Sequence, residues 1–350
     1  MQLLTAWFRR QFANPQVVYL TLLLLVGFGV VLSMGDMLLP VLASIVIAYL
    51  LEGVVAPLQH RALPRFWAVL LVFCGFMLFL VLLIFGLLPQ LSRQITDLVN
   101  QLPLMISEGQ QALMLLPERY PDLLSTEQVQ EVMGTLRTEL ANLGQKVLSL
   151  SLASLVGLIT ILVYLVLMPL LVFFFLKDKD LILAWSTRFL PSQRDLALQI
   201  WEDVDRQIAN YVRGKFWEIL IVGSASFVTF RLFGLNYAVL LAVLVGLSVI
   251  IPYIGAAVVT FPVVLIAWFQ WGWGPDFIWL TVSYFIIQAL DGNVLVPLLF
   301  SEVVNLHPVA IIVAILVFGG FWGFWGVFFA IPLATLVQAV ITSWPGPDEE

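Results

Sequence analysis

Apolar residues run through this chain in long blocks. Val17 to Ser33, Met37 to Leu51, Phe66 to Leu88 and Leu150 to Leu176 carry no charged residue. A helix rises about 1.5 Å per residue, so blocks of this order approach or match the roughly 30 Å hydrocarbon core of a bilayer. Only Met34, Gly35 and Asp36 separate the first two blocks, with no small-residue cleavage site between them, so they read as a retained helical hairpin and not as a signal peptide. Pro89 marks the expected end of the third crossing. From 90 to 148 the chain turns polar, rich in Gln, Glu, Asp and Asn, which predicts a small helical domain outside the membrane. Within it Val129, Val132, Met133, Leu136, Leu140, Leu143 and Val147 recur at three- and four-residue steps. That stripe is expected to pack on the helix carrying Ile95, Leu98 and Leu102, the alternative being contact with another subunit in a homo-oligomer. The fourth crossing stops at Lys177 to Asp180. Leu196, Ile200, Val204 and Ile208 then repeat every four positions, which predicts an amphipathic helix in the segment 177 to 215.

From Phe216 to about 345 the chain is nearly all apolar, and the interruptions carry the information. One run opens at Leu235-Asn236-Tyr237-Ala238, meets Pro252, Tyr253 and Gly255, and continues through Pro262 to Phe269. A second opens at Leu306-His307-Pro308, meets Gly319, Gly320, Gly323 and Gly326, and continues through Pro332 to Val340. A straight run of roughly 30 residues would reach about 45 Å, longer than the membrane core is thick. A break or a re-entrant turn relieves the excess. The two runs align Leu235 with Leu306 and Gly255 with Gly326, leaving Pro262 and Pro332 one residue out of step, which reads as a weak internal repeat. In several transporter folds paired broken helices meet near the midplane, where freed backbone dipoles bind a solute or ion. The competing explanation is close packing, which Gly also serves in membrane helices.

Composition agrees with this class. Hydrophobic residues make up 61% of the chain and charged residues 11%, and the mean hydropathy is +1.03. No water-soluble domain hides that much apolar surface, so membrane lipid is the first partner. A net charge of -6 leaves no basic face for nucleic acid. The basic residues Arg9, Arg10, Arg61, Arg65, Lys177, Lys179, Arg188, Arg194, Arg206, Arg213 and Lys215 would fall on one side, with Arg93, Arg119, Arg137 and Lys146 on the other. The richer side is cytoplasmic, which puts the N-terminus inside. Trp268, Trp271, Trp273 and Trp279 look like an interfacial belt, and the single Cys74, inside an apolar run, is lipid-facing or packed.

Candidate chemistry at depth is sparse. Glu218 sits one turn after Lys215 and reads as its partner at the cytoplasmic boundary, while Arg231 sits near the opposite end. Asp291 and Asn293 follow the apolar run Phe277 to Leu290 and precede Pro297. They read as a polar loop between crossings, or, with Glu302 and His307, as a proton or cation relay; the loop is preferred. No metal-binding spacing, phosphate loop or cysteine pair points to an enzyme or to a cofactor. Ser248 with His307 resembles a protease pair only faintly, since a helical serine more often bonds its own backbone.

Phe233-Gly234-Leu235-Asn236-Tyr237-Ala238, Ile251-Pro252-Tyr253-Ile254-Gly255, Asp291-Gly292-Asn293-Val294-Leu295-Val296-Pro297, Leu306-His307-Pro308 and Gly326 with Ile331-Pro332-Leu333 together resemble the autoinducer-2 exporter family of permeases, in its PerM-like branch. The similarity reaches back to Leu39-Pro40 and Ala48-Tyr49-Leu50; Ala256 departs from it, standing where the family often has Pro. The resemblance implies an integral inner-membrane protein of bacteria with about eight crossings. It implies transport of a small signalling molecule outward or, as in some members, of sodium or lithium against protons.

The expectation is therefore an all-α polytopic membrane bundle: an N-terminal membrane hairpin and third crossing over 1–89, an extracytoplasmic helical domain over 90–148, a fourth crossing over 149–176, a cytoplasmic amphipathic helical segment over 177–215, and a transport core over 216–345. The expected function is movement of a small solute or cation, along a pathway lined by Pro252, Tyr253, Gly255, Asp291, Asn293, Pro297, His307, Gly319, Gly320, Gly323, Gly326 and Pro332. A non-transporting scaffold acting through residues 90–148 is the alternative of a different class.

Overall fold

The computed structural model describes residues 15–61, 63–114, 134, 154–189, 195–252, 254–300 and 306–342. Among them every regular element is helical, as the block pattern requires. Backbone N–H and C=O groups cannot face lipid unpaired, and a helix satisfies them internally. Six helical stretches of the described chain are long and apolar enough to cross a membrane, and Val163–Lys177 and Ala238–Ser248 are shorter apolar helices.

Helix α1 runs from Pro15 to His60. The first two apolar blocks, expected as a hairpin, are instead joined within it without a loop, through a kink at Met34, the one residue with non-helical backbone (φ -124°, ψ 18°). Helix α2 (Arg65–Leu82) passes through a π turn (Leu83–Leu87) into α3 (Leu88–Met114). Pro89 therefore does not end the helix. A proline cannot donate to the carbonyl four residues back and its ring collides with it; the wider π turn just before Pro89 relieves that collision, and the helix continues. Helix α4 (Ser154–Lys177) packs with α1 and α2 around Leu51, Val55, Val69, Val72, Val172 and Leu176. One end of this cluster is tied by ions: Arg65 lies 3.6 Å and Lys179 3.5 Å from Glu52, and Arg65 donates to the Leu176 carbonyl at 2.8 Å.

After the short α5 (Lys179–Ser186), helix α6 runs for 39 residues from Asp195 to Phe233. The amphipathic segment and the following crossing are thus one helix, and the boundary expected at 215 falls inside it. Ile200 and Val204 bury against Ala339 near its start, while the rest becomes the post on which α1 and the C-terminal helices pack. At its end the Leu235 N–H bonds the Phe230 carbonyl and Gly234 adopts φ 72°, a glycine-closed helix cap that reverses the chain.

Two helical hairpins follow. The first is α7 (Ala238–Ser248), a turn, and α8 (Ile254–Trp271). Leu241, Val245, Val259, Val263 and Ile266 bury between its limbs. Helix α9 (Pro275–Leu290) leads through a second π turn (Asp291–Leu295) into α10 (Val296–Phe300). The second hairpin is α11 (Pro308–Thr342), which folds back at Gly323 (φ 57°, ψ -132°). Ile311, Ala314, Ile315 and Phe318 of its first limb pack on Val327, Ala330 and Ala334 of its second. With 11 residues, α7 advances only about 17 Å, roughly half the hydrocarbon core.

The α3 arm lies on this core. Leu91, Leu98 and Met105, one every seven residues, pack against the first hairpin's cluster, and the Leu240 N–H donates to Gln94 Oε1 at 2.8 Å. The expected partner stripe at 129–147 lies outside the described residues apart from helical Gly134.

Candidate functional site

The hairpins meet α6 from opposite ends. The first leaves the Phe233 end through the Gly234 turn, where the Gln270 side chain closes its mouth by accepting from the Asn236 N–H (2.7 Å) and donating to the Gly234 carbonyl (2.8 Å). The second packs its final turns against Ile200 and Val204 at the other end of α6. They form an inverted pair about one post.

Each turn is closed by a glycine that no other residue can replace without moving backbone. A Cβ on Gly255 would lie 1.8 Å from the Ser248 carbonyl oxygen, and one on Gly326 would lie 1.8 Å from that of Phe318. In a straight helix, residues seven or eight apart are separated by about 10 to 12 Å, so both contacts require chain reversal. Gly255 and Gly326, paired in the sequence alignment, stand at equivalent places. A Cβ on Gly319 would meet Val327 at 2.8 Å, while Gly320 faces open space. Pro252 is half-buried in the first turn, and Tyr253 lies outside the described residues.

Between the apices α6 presents Tyr211, Gly214, Lys215 and Glu218. Helix α7 stops at Ser248, which leaves carbonyls without a helical donor. Lys215 Nζ donates to one of them, Val249 O, at 2.8 Å, sits 2.7 Å from Glu218 Oε2, and lies 5.1 Å over the Phe300 ring. Lys215 is 6% and Glu218 2% exposed. The pair that the sequence reading puts at the boundary is thus enclosed, and it pins the first apex to the post. Phe300 can approach because Gly214 has no side chain: a Cβ there would lie 2.7 Å from the ring. The second apex is held by proline chemistry. Pro332 is buried in the return limb and cannot donate to Phe328 O four residues back; the Tyr211 hydroxyl donates to that carbonyl instead, at a long 3.5 Å.

Asp291 joins this centre. The loop expected around it is a π turn inside a helix that continues to Phe300. Pro297 follows this turn as Pro89 follows the other, so it widens the helix without breaking it. Asn293 satisfies the widened turn by donating its side-chain N–H to Ala289 O at 2.8 Å. The Asp291 carboxylate lies within electrostatic reach of both Lys215 and Glu218, which gives the centre two acids and one base.

His307 stands apart. Its Nδ1 accepts from the Val309 N–H at 3.3 Å, with Pro308 in the first helical position, so it caps α11; Glu302 lies outside the described residues. Ser248 donates to Val245 O at 2.7 Å, the backbone bond expected of a helical serine. Sequence reasoning missed Tyr211 and Phe300 and took Lys215 and Glu218 for interfacial groups. The available signal was an acid and a base three residues apart at the mouth of an apolar run.

The arrangement places the Lys215–Glu218 pair between two turns, one reached from each end of the bundle. Comparison with known proteins agrees with a transport role. The family model described as AI-2E family transporter matches residues 19–346. The chain is 49% identical over 345 residues to the PerM protein of Escherichia coli K12, named as a permease, covering 99% of this chain and 98% of that one. It is 28% identical over 348 residues to YueF of Bacillus subtilis 168, named as a transport protein, covering 94% and 91%. A second protein of that organism so named, YrrI, is 28% identical over 308 residues, covering 87% and 85%.

Proposed function

The chain belongs to the AI-2E transporter family, and from that premise we propose that it is a permease of the bacterial inner membrane that moves a small polar solute by alternating access. The observation that carries this reading is the inverted pair of glycine-closed hairpins converging on Tyr211 to Glu218 of α6. A turn entering from each side lets one opening form while the other stays shut, and the enclosed Lys215 and Glu218 supply polar contacts that lipid-facing helices lack. The basic residues bias the N-terminus and the mouth of the second hairpin toward the cytoplasm. Export of a small signalling molecule is the specific direction that the family resemblance suggests. Uptake and efflux in proteoliposomes, screened over small hydroxylated and charged solutes with and without ion gradients, test the reading: a saturable flux lost in Gly255→Leu and Gly326→Leu supports it, and flux unchanged in both removes the hairpins from the pathway.

A second reading, exchange of sodium or lithium for protons, is favoured by the excess of acid over base at Lys215, Glu218 and Asp291. A centre with two carboxyl groups beside one ammonium suits exchange of a cation for a proton. Inverted vesicles then show sodium-dependent proton release that Asp291→Asn abolishes; unchanged release excludes Asp291 from the exchange.

A further inference from the structure

The inner face of α9 carries a row of polar side chains that the hairpin centre does not use, and the row leads to Asp291, which it does. Thr281, Tyr284, Gln288 and Asp291 follow one another at three- and four-residue steps, so they share one side of the helix. That side faces protein: Phe277, Leu280 and Tyr284 are buried, the Tyr284 ring lies 6.2 Å from Phe230 of α6, and its hydroxyl is 2.9 Å from Thr260 of α8. Along the row, buried Thr281 Oγ1, Gln288 Nε2 and Asp291 Oδ1 have no hydrogen-bond partner among the described residues. On the facing helix Ser226 Oγ also lacks one, at 0% exposure. A serine inside a helix ordinarily bonds the carbonyl one turn back, so an idle hydroxyl there is unusual.

The register of the two helices sets these groups at matching heights. Phe230 packs on Tyr284 and Gly214 on Phe300, which brings Ser226 level with Gln288. Tyr284 itself has spare capacity. The single proton of the Thr260 hydroxyl is engaged by Ala256 O at 2.6 Å, so Tyr284 donates to Thr260 and keeps its own acceptor site free. A row of idle donors and acceptors inside an apolar bundle is costly when dry, and water with two to four polar neighbours meets that need.

We propose that the space between α6, α8 and α9 is a water-holding track, with water as its ligand, reaching from Asp291 to Thr281. Ten residues of helix make it about 15 Å long. It stops beneath buried Phe277, against which Trp273 packs edge-on at 5.5 Å. The track gives the Asp291 carboxylate bound water separate from the hairpin apices, and it does not depend on which solute moves. Thr281, Gln288 and Ser226 hold its waters.

Hydroxyl-radical footprinting of the whole protein in lipid nanodiscs tests this, because radicals made from water oxidise only side chains that water touches. Phe285, next in sequence to Tyr284 and 51% exposed on the lipid side, is the dry reference. Tyr284 is expected to oxidise several-fold faster than Phe285, and the excess is expected to vanish in the double variant Ser226→Ala, Gln288→Leu. Oxidation of Tyr284 in the unaltered protein no faster than that of Phe285 overturns the proposal, whatever the variant does. So does an excess that survives in a folded double variant.

Discussion

Substituting alanine for Gly255 or Gly326 adds one methyl group where each hairpin closes. The added Cβ starts 1.8 Å from a carbonyl oxygen in either turn, and carbon and oxygen in contact need more than 3 Å, so the limbs must part by more than about 1 Å. The neighbours cannot yield by rotating a side chain, because the obstructing atoms belong to the backbone of Ser248 and Phe318. Parting the limbs loosens Val245 against Val259 in the first hairpin and Phe318 against Val327 in the second. Overpacking of this kind costs about 1–3 kcal/mol, and the upper part of that range is expected where only backbone can move. Gly75, on the exposed side of α2 with nothing within 4 Å of its Cβ position, is the matched control, where alanine is expected to be neutral. Thermal unfolding in detergent, followed by loss of the monodisperse peak, reads the difference: lower midpoints for Gly255→Ala and Gly326→Ala, none for Gly75→Ala. Equal midpoints for all three would show that the turns are open and would refute the close approach.

Three further outcomes follow from the same contacts. Glu218→Leu leaves Lys215 buried without its carboxylate and is expected to destabilise by about 3–5 kcal/mol, whereas Lys215→Met with Glu218→Leu restores most of the loss; chemical unfolding of both variants checks the pair. Gln94→Ala frees the Leu240 N–H and is expected to cost about 1 kcal/mol, seen as faster hydrogen exchange at Leu240 with exchange in α4 unchanged. Gln270→Ala removes two bonds at the mouth of the first hairpin and is expected to speed exchange at Asn236 while leaving α11 as it was.

Hydrophobic blocks made the helical membrane class legible, and the spacing of Gly and Pro located both turns to within a few residues. Gly is informative there because its absence of a side chain answers a steric demand that sequence alignment of the runs can reveal. What stayed hidden depended on three-dimensional context. Pro89 and Pro297 read as helix ends because a proline breaks the regular ladder, yet a π turn before each absorbs the collision. Lys215 and Glu218 read as surface groups because charges flanking an apolar run usually are; the carbonyl of Val249 that encloses them comes from 34 residues later. Tyr211 had no local signal, since its partner, Phe328 O, is freed by Pro332 in another helix. His307 looked chemically useful by residue type, and its bonds make it a helix cap.

The central claim is that the two hairpins enter from opposite faces and converge on α6. Labelling with a membrane-impermeant maleimide in a Cys74→Ala background tests it most directly, using Asn236→Cys at the mouth of the first hairpin and Val309→Cys at the mouth of the second, both exposed positions. In right-side-out vesicles Asn236→Cys is expected to label and Val309→Cys to stay protected, with the pattern reversed in inverted vesicles. Labelling of both cysteines from the same face would contradict the inverted pair.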